Sequence, residues 1–130
     1  MAEPIMDIRQ RALQLWSLLV LAARTQTVLS YGMVSRMTGL PAESGEALTY
    51  VASYCLKKKL PLLTSLVVSQ ETGRPNSDLY SDLEAEHRRC FVQDWLAQGL
   101  PTVEALDEAY EMREKLRQEY KASKTGPASA

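Results

Sequence analysis

The sequence predicts a mainly helical fold with one small β-hairpin, and three observations predict it. Apolar residues recur at helical spacing through most of the 130 residues. One segment, residues 63–69, is rich in β-branched residues and is typical of a strand. The stretch at 71–77 is dense in turn-forming residues and suits the tip of a hairpin.

The first three helices are predicted from apolar periodicity and from capping residues. The first spans residues 5–24 and is apolar around much of its circumference, which places it in the core. Ser30 caps a short second helix over residues 31–37, and Gly39 ends it. The third helix spans residues 42–58 and ends in lysines, because positive charge suits a helix C-terminus.

The β-hairpin is expected directly after the third helix. Pro61 ends that helix, residues 63–69 form the first strand, and Leu79–Tyr80 form a short return strand. Three helices followed by a hairpin make a winged helix, in which the second and third helices are a helix-turn-helix unit.

Two further helices are expected to pack on this domain. Ser81 and Glu84 form a capping box that opens a helix over residues 81–98. Thr102 caps the second helix, which continues to about residue 120. The polar end of the chain has the composition of a disordered tail. The predicted units are a winged helix over residues 5–80, a C-terminal helical pair over residues 81–120 and a disordered tail over residues 121–130.

Composition and charge limit the classes of function. The formal net charge is −1 and the isoelectric point is about 5.9, which excludes a strongly basic nucleic-acid-binding protein but allows a local basic patch. Residues 1–80 carry 8 basic and 6 acidic side chains, whereas residues 81–130 carry 7 and 10. A surface for a polyanion is therefore expected in the first part of the chain.

The cysteines and the histidine predict no reactive or metal-binding centre. Cys55 and Cys90 fall on apolar helical faces, so we expect buried free thiols in a reducing cytoplasm. His87 is the only histidine and has no partners at metal-ligand spacing, and the glycines form no phosphate loop. No cofactor is expected. The most apolar stretch, residues 13–23, is too short to span a bilayer.

One family resembles the first part of the chain. Within residues 12–41, a helix with a leading aromatic precedes a threonine-rich connector, then Tyr31-Gly32, Val34 and a Gly39-x-Pro41 turn. This order resembles the C-terminal domain of O6-alkylguanine-DNA alkyltransferases and their alkyltransferase-like relatives. The resemblance covers residues 12–80 and implies a winged helix that binds DNA.

The chain departs from that family at its reactive centre. The family's Pro-Cys-His-Arg motif is replaced by Leu-Thr-Ser-Leu at 63–66, so the thiolate and its activating histidine are missing. Cys55 lies on the preceding helix and His87 lies outside the matching region. The start of the third helix carries Glu43 and Glu46, which repel phosphates, where the family has an arginine that enters DNA. The sequence therefore predicts a protein that is not an enzyme.

The leading hypothesis from the sequence is a non-enzymatic nucleic-acid-binding module, a regulator or accessory protein that docks on double-stranded DNA. Docking would be electrostatic and would weaken steeply with salt. The third helix would lie near a groove and the loop tip beside the backbone. The residues predicted to neutralise phosphates are Arg36, Lys57, Lys58, Lys59 and Arg74.

Two alternatives stay open at this point. In the first, the winged helix is a scaffold for a protein partner, as in an inhibitor of a larger, phage-related machine, or for a second copy of the chain. Trp95 and Tyr110 are its predicted partner-binding residues. In the second, the protein recognises modified bases without catalysis, as alkyltransferase-like proteins do, and this requires an apolar pocket near Thr64 and Tyr31.

Overall fold

The computed structural model describes residues 7–39, 45–77 and 79–125. The fold in these ranges is mainly helical with one small β element, as predicted. The elements are α1 (Ile8–Arg24), β1 (Leu29–Ser30), α2 (Tyr31–Thr38), α3 (Gly45–Lys57), a 3₁₀ helix (Leu63–Leu66), β2 (Val67–Val68), α4 (Leu83–Val92), α5 (Trp95–Gln98), α6 (Val103–Glu111) and α7 (Arg113–Thr125).

Helix α1 is the centre of the core. Asp7 caps it, since its carboxylate accepts a hydrogen bond from the Gln10 backbone at 3.0 Å while the Gln10 side chain accepts one from the Asp7 backbone. Leu15, Trp16 and Leu19 are buried along one face. That face packs against α3, α4, α6 and the 3₁₀ helix. The prediction of a core-forming first helix is confirmed.

The β element is a parallel pair, which corrects the predicted hairpin. Leu29 pairs with Val67 and Ser30 pairs with Val68. Leu79–Tyr80 is not a strand. After Val68 the chain turns on itself instead, because the Ser69 backbone N–H bonds the Arg74 carbonyl at 2.8 Å. Parallel pairing needs a crossover connection, and α2, α3 and the 3₁₀ helix supply it.

Local capping chemistry sets the bounds of α2. The Ser30 hydroxyl accepts a hydrogen bond from the Met33 backbone at 3.1 Å. Gly39 ends the helix in the left-handed region, at φ +76°, and its N–H bonds the Ser35 carbonyl at 2.8 Å. Both end signals predicted from the sequence are confirmed. The predicted start of the next helix, residues 42–44, lies outside the described residues.

Helix α3 is buried on most of its circumference. Tyr50, Val51, Tyr54 and Cys55 are all buried, and α1, α6, α7 and the 3₁₀ helix surround it. Its first described residues, Gly45–Glu46, are exposed. A helix that is packed on this many sides is not free to lie along a DNA groove.

The predicted helix over residues 81–98 is two helices. Gln93 is extended, at φ −68° and ψ 137°, and separates α4 from α5. Asp82 caps α4 by accepting from the Ala85 backbone at 3.1 Å, which replaces the predicted capping box of Ser81 and Glu84. Asp94 caps α5 in the same way. This break turns α5 inward against α1.

The last predicted helix is also divided, at Met112, into α6 and α7. Thr102 caps α6 as predicted, because its hydroxyl accepts from the Ala105 backbone at 3.0 Å. Helix α6 packs against α3 and α1, and α7 packs against α3. Helix α7 runs to Thr125, so the predicted tail is helical over residues 121–125, and residues 126–130 lie outside the described part. None of the described helices is both long and apolar enough to cross a membrane.

Candidate binding cleft

A cleft of about 530 Å³ opens where α2, α3, α7 and the loop after β2 meet. We call the loop after β2, residues 69–77 and 79–80, the post-β2 loop. The cleft is lined by Tyr31, Gly45, Leu48, Thr49, Ala52, Ser53, Leu56, Thr64, Pro75, Asn76, Ser77, Leu79, Tyr80, Arg113, Glu114 and Arg117. Its walls combine apolar and aromatic side chains with a few hydroxyl and charged groups, which is typical of a ligand site.

Hydrogen bonds fix the aromatic walls of the cleft. The Asn76 backbone N–H donates to the Tyr31 hydroxyl at 2.7 Å and ties the post-β2 loop to the start of α2. The Thr64 and Tyr80 hydroxyls lie 2.5 Å apart. Burial raises the pKa of the Tyr80 phenol well above its usual range, so the phenol stays neutral. These hydrogen bonds therefore hold the aromatic side chains of the cleft in place.

Helix α7 forms the charged wall of the cleft. Arg113, Glu114 and Arg117 line it and are exposed to solvent. The guanidinium carbon of Arg113 lies 4.2 Å from the centre of the Tyr110 ring, and Nη1 of Arg113 donates to the Tyr110 carbonyl at 3.0 Å. Arg113 is thus held in place by stacking and by a hydrogen bond.

The three predicted lysines lie at the C-terminal end of α3 and have local roles. The ammonium of Lys57 lies 3.3 Å from the Glu108 carboxylate on α6. The ammonium of Lys58 lies 6.0 Å from the centre of the Tyr54 ring. Lys59 is exposed in a left-handed conformation, at φ +57°, which ends the helix. None of the three lines the cleft.

The two predicted arginines lie on different elements from the lysines. Arg36 is exposed on α2, and its guanidinium lies beside Gly32, one turn earlier. Arg74 lies in the post-β2 loop, and its Nη2 donates to the Tyr80 carbonyl at 3.1 Å. The five predicted phosphate-binding residues therefore lie on three parts of the fold, namely α2, the C-terminal end of α3 and the post-β2 loop.

Trp95 is a core residue, which corrects its prediction as a partner contact. Its side chain is 2% exposed, and its ring packs edge-on against Trp16 with the ring centres 5.6 Å apart. The indole N–H donates to the Cys90 carbonyl at 2.8 Å. The sequence analysis treated Trp95 as a residue available to a partner, but beyond the break at Gln93 its side chain lies in the core.

Tyr110, the other predicted partner residue, is half-buried and engaged within the chain. Its ring stacks on Tyr50 with the centres 3.9 Å apart and the planes 10° from parallel. Its hydroxyl donates to the Glu46 carboxylate at 3.3 Å. Tyr110 therefore holds α6 on α3 and supports Arg113 at the cleft.

Three of the exposed large apolar side chains lie near Trp95 in sequence. Val92, Leu96 and Leu100 are 82%, 67% and 63% exposed. A second, shallower groove of about 330 Å³ lies between α1 and α5 and shares Leu96 and Leu100 with this surface. The sequence analysis predicted a partner contact in this region at Trp95, which is buried, and not at its exposed neighbours.

The groups able to act as nucleophiles are unreactive in this arrangement. Cys55 and Cys90 are buried, and burial raises the pKa of each thiol to about 12. Nε2 of His87 donates to the Ser65 carbonyl at 2.7 Å, so this nitrogen does not act on a thiol. Among the described residues no cluster of three or more His, Cys, Asp or Glu side chains could hold a metal ion.

We expect neither thiol to react with Ellman's reagent in the native protein at about pH 8, because the folded-state pKa values lie far above that pH and both sulfur atoms are shielded. The same reagent should label both cysteines in denaturant, which provides the control. Prompt labelling of either thiol in the native protein would contradict the buried positions of Cys55 and Cys90.

The residues that the sequence analysis missed are Arg113 and Arg117. Their spacing of four residues places both on one face of a helix, and this was the available signal. What the sequence lacked was the position of α7 beside α3. Comparisons with protein families, with curated proteins and with solved structures returned no match for the chain.

Proposed function

We propose that this chain is a non-enzymatic nucleic-acid-binding module whose cleft receives one unstacked base. The observation that carries this proposal is the cleft itself, which Tyr31, Thr64 and Tyr80 all line. Its volume of about 530 Å³ is in the range of small-molecule sites. Every base has a π face that can stack on an aromatic or apolar wall.

The resemblance to alkyltransferase-like proteins supports the same proposal. Tyr31-Gly32 is one of the stretches that carry that resemblance, and residues 63–66 take the place of the family's reactive motif without its cysteine, histidine or arginine. Tyr31 and Thr64 line one cleft in the structure. Recognition of a modified base without catalysis requires an apolar pocket near Tyr31 and Thr64. Contact with the cleft walls would offset part of the free energy that is needed to unstack an extruded base.

The burial of α3 changes the proposed mode of docking. The sequence favoured docking of this helix in a groove of double-stranded DNA, but α6 and α7 cover its flanks. A base that leaves the stack can reach the cleft without entry of α3 into the groove. We therefore favour recognition of an extruded or unpaired base over readout of base edges in a groove.

The absence of catalysis is proposed from the state of the candidate nucleophiles. The Thr64 hydroxyl is engaged with Tyr80, and no described histidine or carboxylate activates it. Both cysteines are buried with raised pKa values. Alkyl transfer needs a thiolate next to an activating base, and the cleft-lining residues include no cysteine.

Filling the cleft tests the proposal. Ala52 lies half-buried on the α3 wall of the cleft, so Ala52→Phe should occupy the space that a base would use. In fluorescence polarisation with labelled strands that contain an unpaired base, we expect Ala52→Phe to weaken binding about tenfold or more. Val92→Phe adds the same ring at an exposed site outside the cleft and should leave binding unchanged.

Two results would remove the proposal. The first is that the unaltered protein binds neither single strands nor strands with an unpaired base at low salt. The second is that Ala52→Phe binds as tightly as the unaltered protein while it stays folded by circular dichroism. Binding that depends on the cleft should also weaken as salt rises, because any strand carries phosphates.

A second candidate function is a protein–protein module, and the exposed Val92, Leu96 and Leu100 favour it. A soluble surface seldom gathers large apolar side chains beside a groove without a partner. Sedimentation of the purified chain over a range of concentrations distinguishes self-association from a different partner. Copurification from the native host that is lost in Leu96→Lys would support a different partner.

A further inference from the structure

We infer that α7 is the phosphate-binding wall of the cleft, so that the ligand is a nucleotide with its phosphate on Arg113 and Arg117. This inference rests on the proposed function, because it names the ligand class of the same cleft. The observation behind it is that the residues lining the cleft are of two chemical kinds and lie on different elements. Helices α2 and α3 and the post-β2 loop supply aromatic and apolar side chains, and α7 supplies two arginines.

Arg113 and Arg117 lie on one face of α7. They are four residues apart, which places their side chains on successive turns. Both line the cleft that Tyr31 and Tyr80 also line. A guanidinium presents its N–H donors in a planar fork that matches phosphate oxygens, so two on one wall suit a phosphate group.

Arg113 is pre-oriented by the core beneath it. Its guanidinium rests on the Tyr110 ring, and that ring stacks on Tyr50 of α3. The Tyr110 hydroxyl is in turn held by Glu46. Arg113 uses one N–H on the Tyr110 carbonyl, and a guanidinium has five donors, so donors remain for a ligand. Pre-orientation reduces the entropy lost on binding.

The charges that line the cleft favour an anion at this wall. Two arginines against Glu114 leave one net positive charge among the lining residues of α7. The basic residues selected from the sequence lie elsewhere: neither Arg36, Arg74 nor residues 57–59 line the cleft. Within the described residues, the cationic part of the cleft is therefore on α7.

The other lining residues determine the other half of the ligand. Leu48, Leu56 and Pro75 provide apolar contact, and the hydroxyl groups of Thr49 and Ser53 provide polar contact. A flat heteroaromatic ring with several hydrogen-bonding groups fits such a wall. A ring on this side with an anionic group reaching α7 describes a nucleotide. The same chemistry is found in a free mononucleotide and in one residue of a single strand.

The test compares ligands with and without a phosphate. The four deoxynucleoside 5′-monophosphates and their parent nucleosides would be titrated by calorimetry, and a short labelled single strand by fluorescence polarisation. We expect at least one nucleotide or the strand to bind, with its affinity falling about tenfold or more in the double variant Arg113→Gln, Arg117→Gln. Nucleoside binding should be unaffected by the double variant.

Lys115→Gln is the matched control. It removes one positive charge from an exposed position of α7 that does not line the cleft, and affinity should change by about twofold at most. Arg117→Gln alone keeps the contacts of Arg113 with Tyr110, so its result does not depend on the packing of α6. Circular dichroism confirms that each variant is folded.

The outcomes separate the two proposals. If free nucleotides bind and the arginine variants lose this binding, the result supports a free nucleotide as the ligand. If only the strand binds and the arginine variants lose that binding, the result supports a nucleotide within a strand. Unchanged affinity in the double variant overturns the assignment of α7, and so does equal loss in Lys115→Gln. If Ala52→Phe still abolishes strand binding in either of those cases, the proposal that the cleft binds a base is supported, and only the assignment of the phosphate to α7 is overturned.

Discussion

Replacement of Trp95 with alanine is expected to lower the free energy of unfolding by about 3–5 kcal/mol. The side chain is 2% exposed, packs edge-on against Trp16, and donates its indole N–H to the Cys90 carbonyl. Truncation would leave a cavity between α1 and α5 and an unpaired carbonyl oxygen. Urea unfolding followed by circular dichroism measures the change without depending on tryptophan fluorescence.

Leu96→Ala is the control for this prediction. Leu96 follows Trp95 directly but is 67% exposed, so its truncation should cost less than about 0.5 kcal/mol. Similar losses for the two variants would contradict the burial of Trp95. A small loss for Trp95→Ala would restore the earlier view that this residue is available to a partner.

Glu86→Ala is expected to cost about 2–3 kcal/mol of stability. Glu86 is buried on α4, and its carboxylate accepts the Leu62 backbone N–H at 2.7 Å and the Arg89 guanidinium at 3.0 Å. Alanine removes the acceptor and leaves the backbone donor of Leu62 unpaired inside the protein. The same urea titration measures this loss.

Two further variants separate the contributions at Glu86. Glu86→Gln keeps an oxygen that can accept from Leu62, so it should retain part of the stability that alanine loses. Arg89→Gln removes an arginine whose side chain is 49% exposed and should cost less than about 1 kcal/mol. If Arg89→Gln costs as much as Glu86→Ala, the ion pair and not the backbone contact carries the effect.

The parts of the fold that depend on neighbouring residues were predictable from the sequence. Ser30 and Gly39 bound α2 as expected, because a cap and a left-handed glycine act over three or four residues. Thr102 caps α6 for the same reason. The apolar spacing of α1 placed this helix in the core, where Leu15, Trp16 and Leu19 are buried.

The parts that depend on distant residues were not predictable in this way. Val67 pairs with Leu29, which lies on the far side of two helices in sequence, and no local signal sets that register. The break at Gln93 involves neither glycine nor proline. Beyond this break Trp95 packs on Trp16 of α1, which is a tertiary contact.

The candidate site was predictable only in part, for a related reason. The pocket near Tyr31 and Thr64 that recognition of modified bases would require coincides with a cleft that both residues line. Phosphate contacts were selected by charge alone, and charge does not say which side chains share a surface. Arg113 and Arg117 reach the cleft because α7 packs along α3, and this depends on the turn at Met112.

The parallel pair of β1 and β2 determines how the cleft could vary. Both strands run toward the same edge, and Tyr31 follows one of them while the post-β2 loop follows the other. Two walls of the cleft thus depart from a common edge while the packed helices lie behind it. Lengthening or shortening the exposed stretch at residues 70–74 would alter the size of the cleft while Tyr80 stays in the interior, so this stretch is where the shape of the cleft can change at least cost to the core.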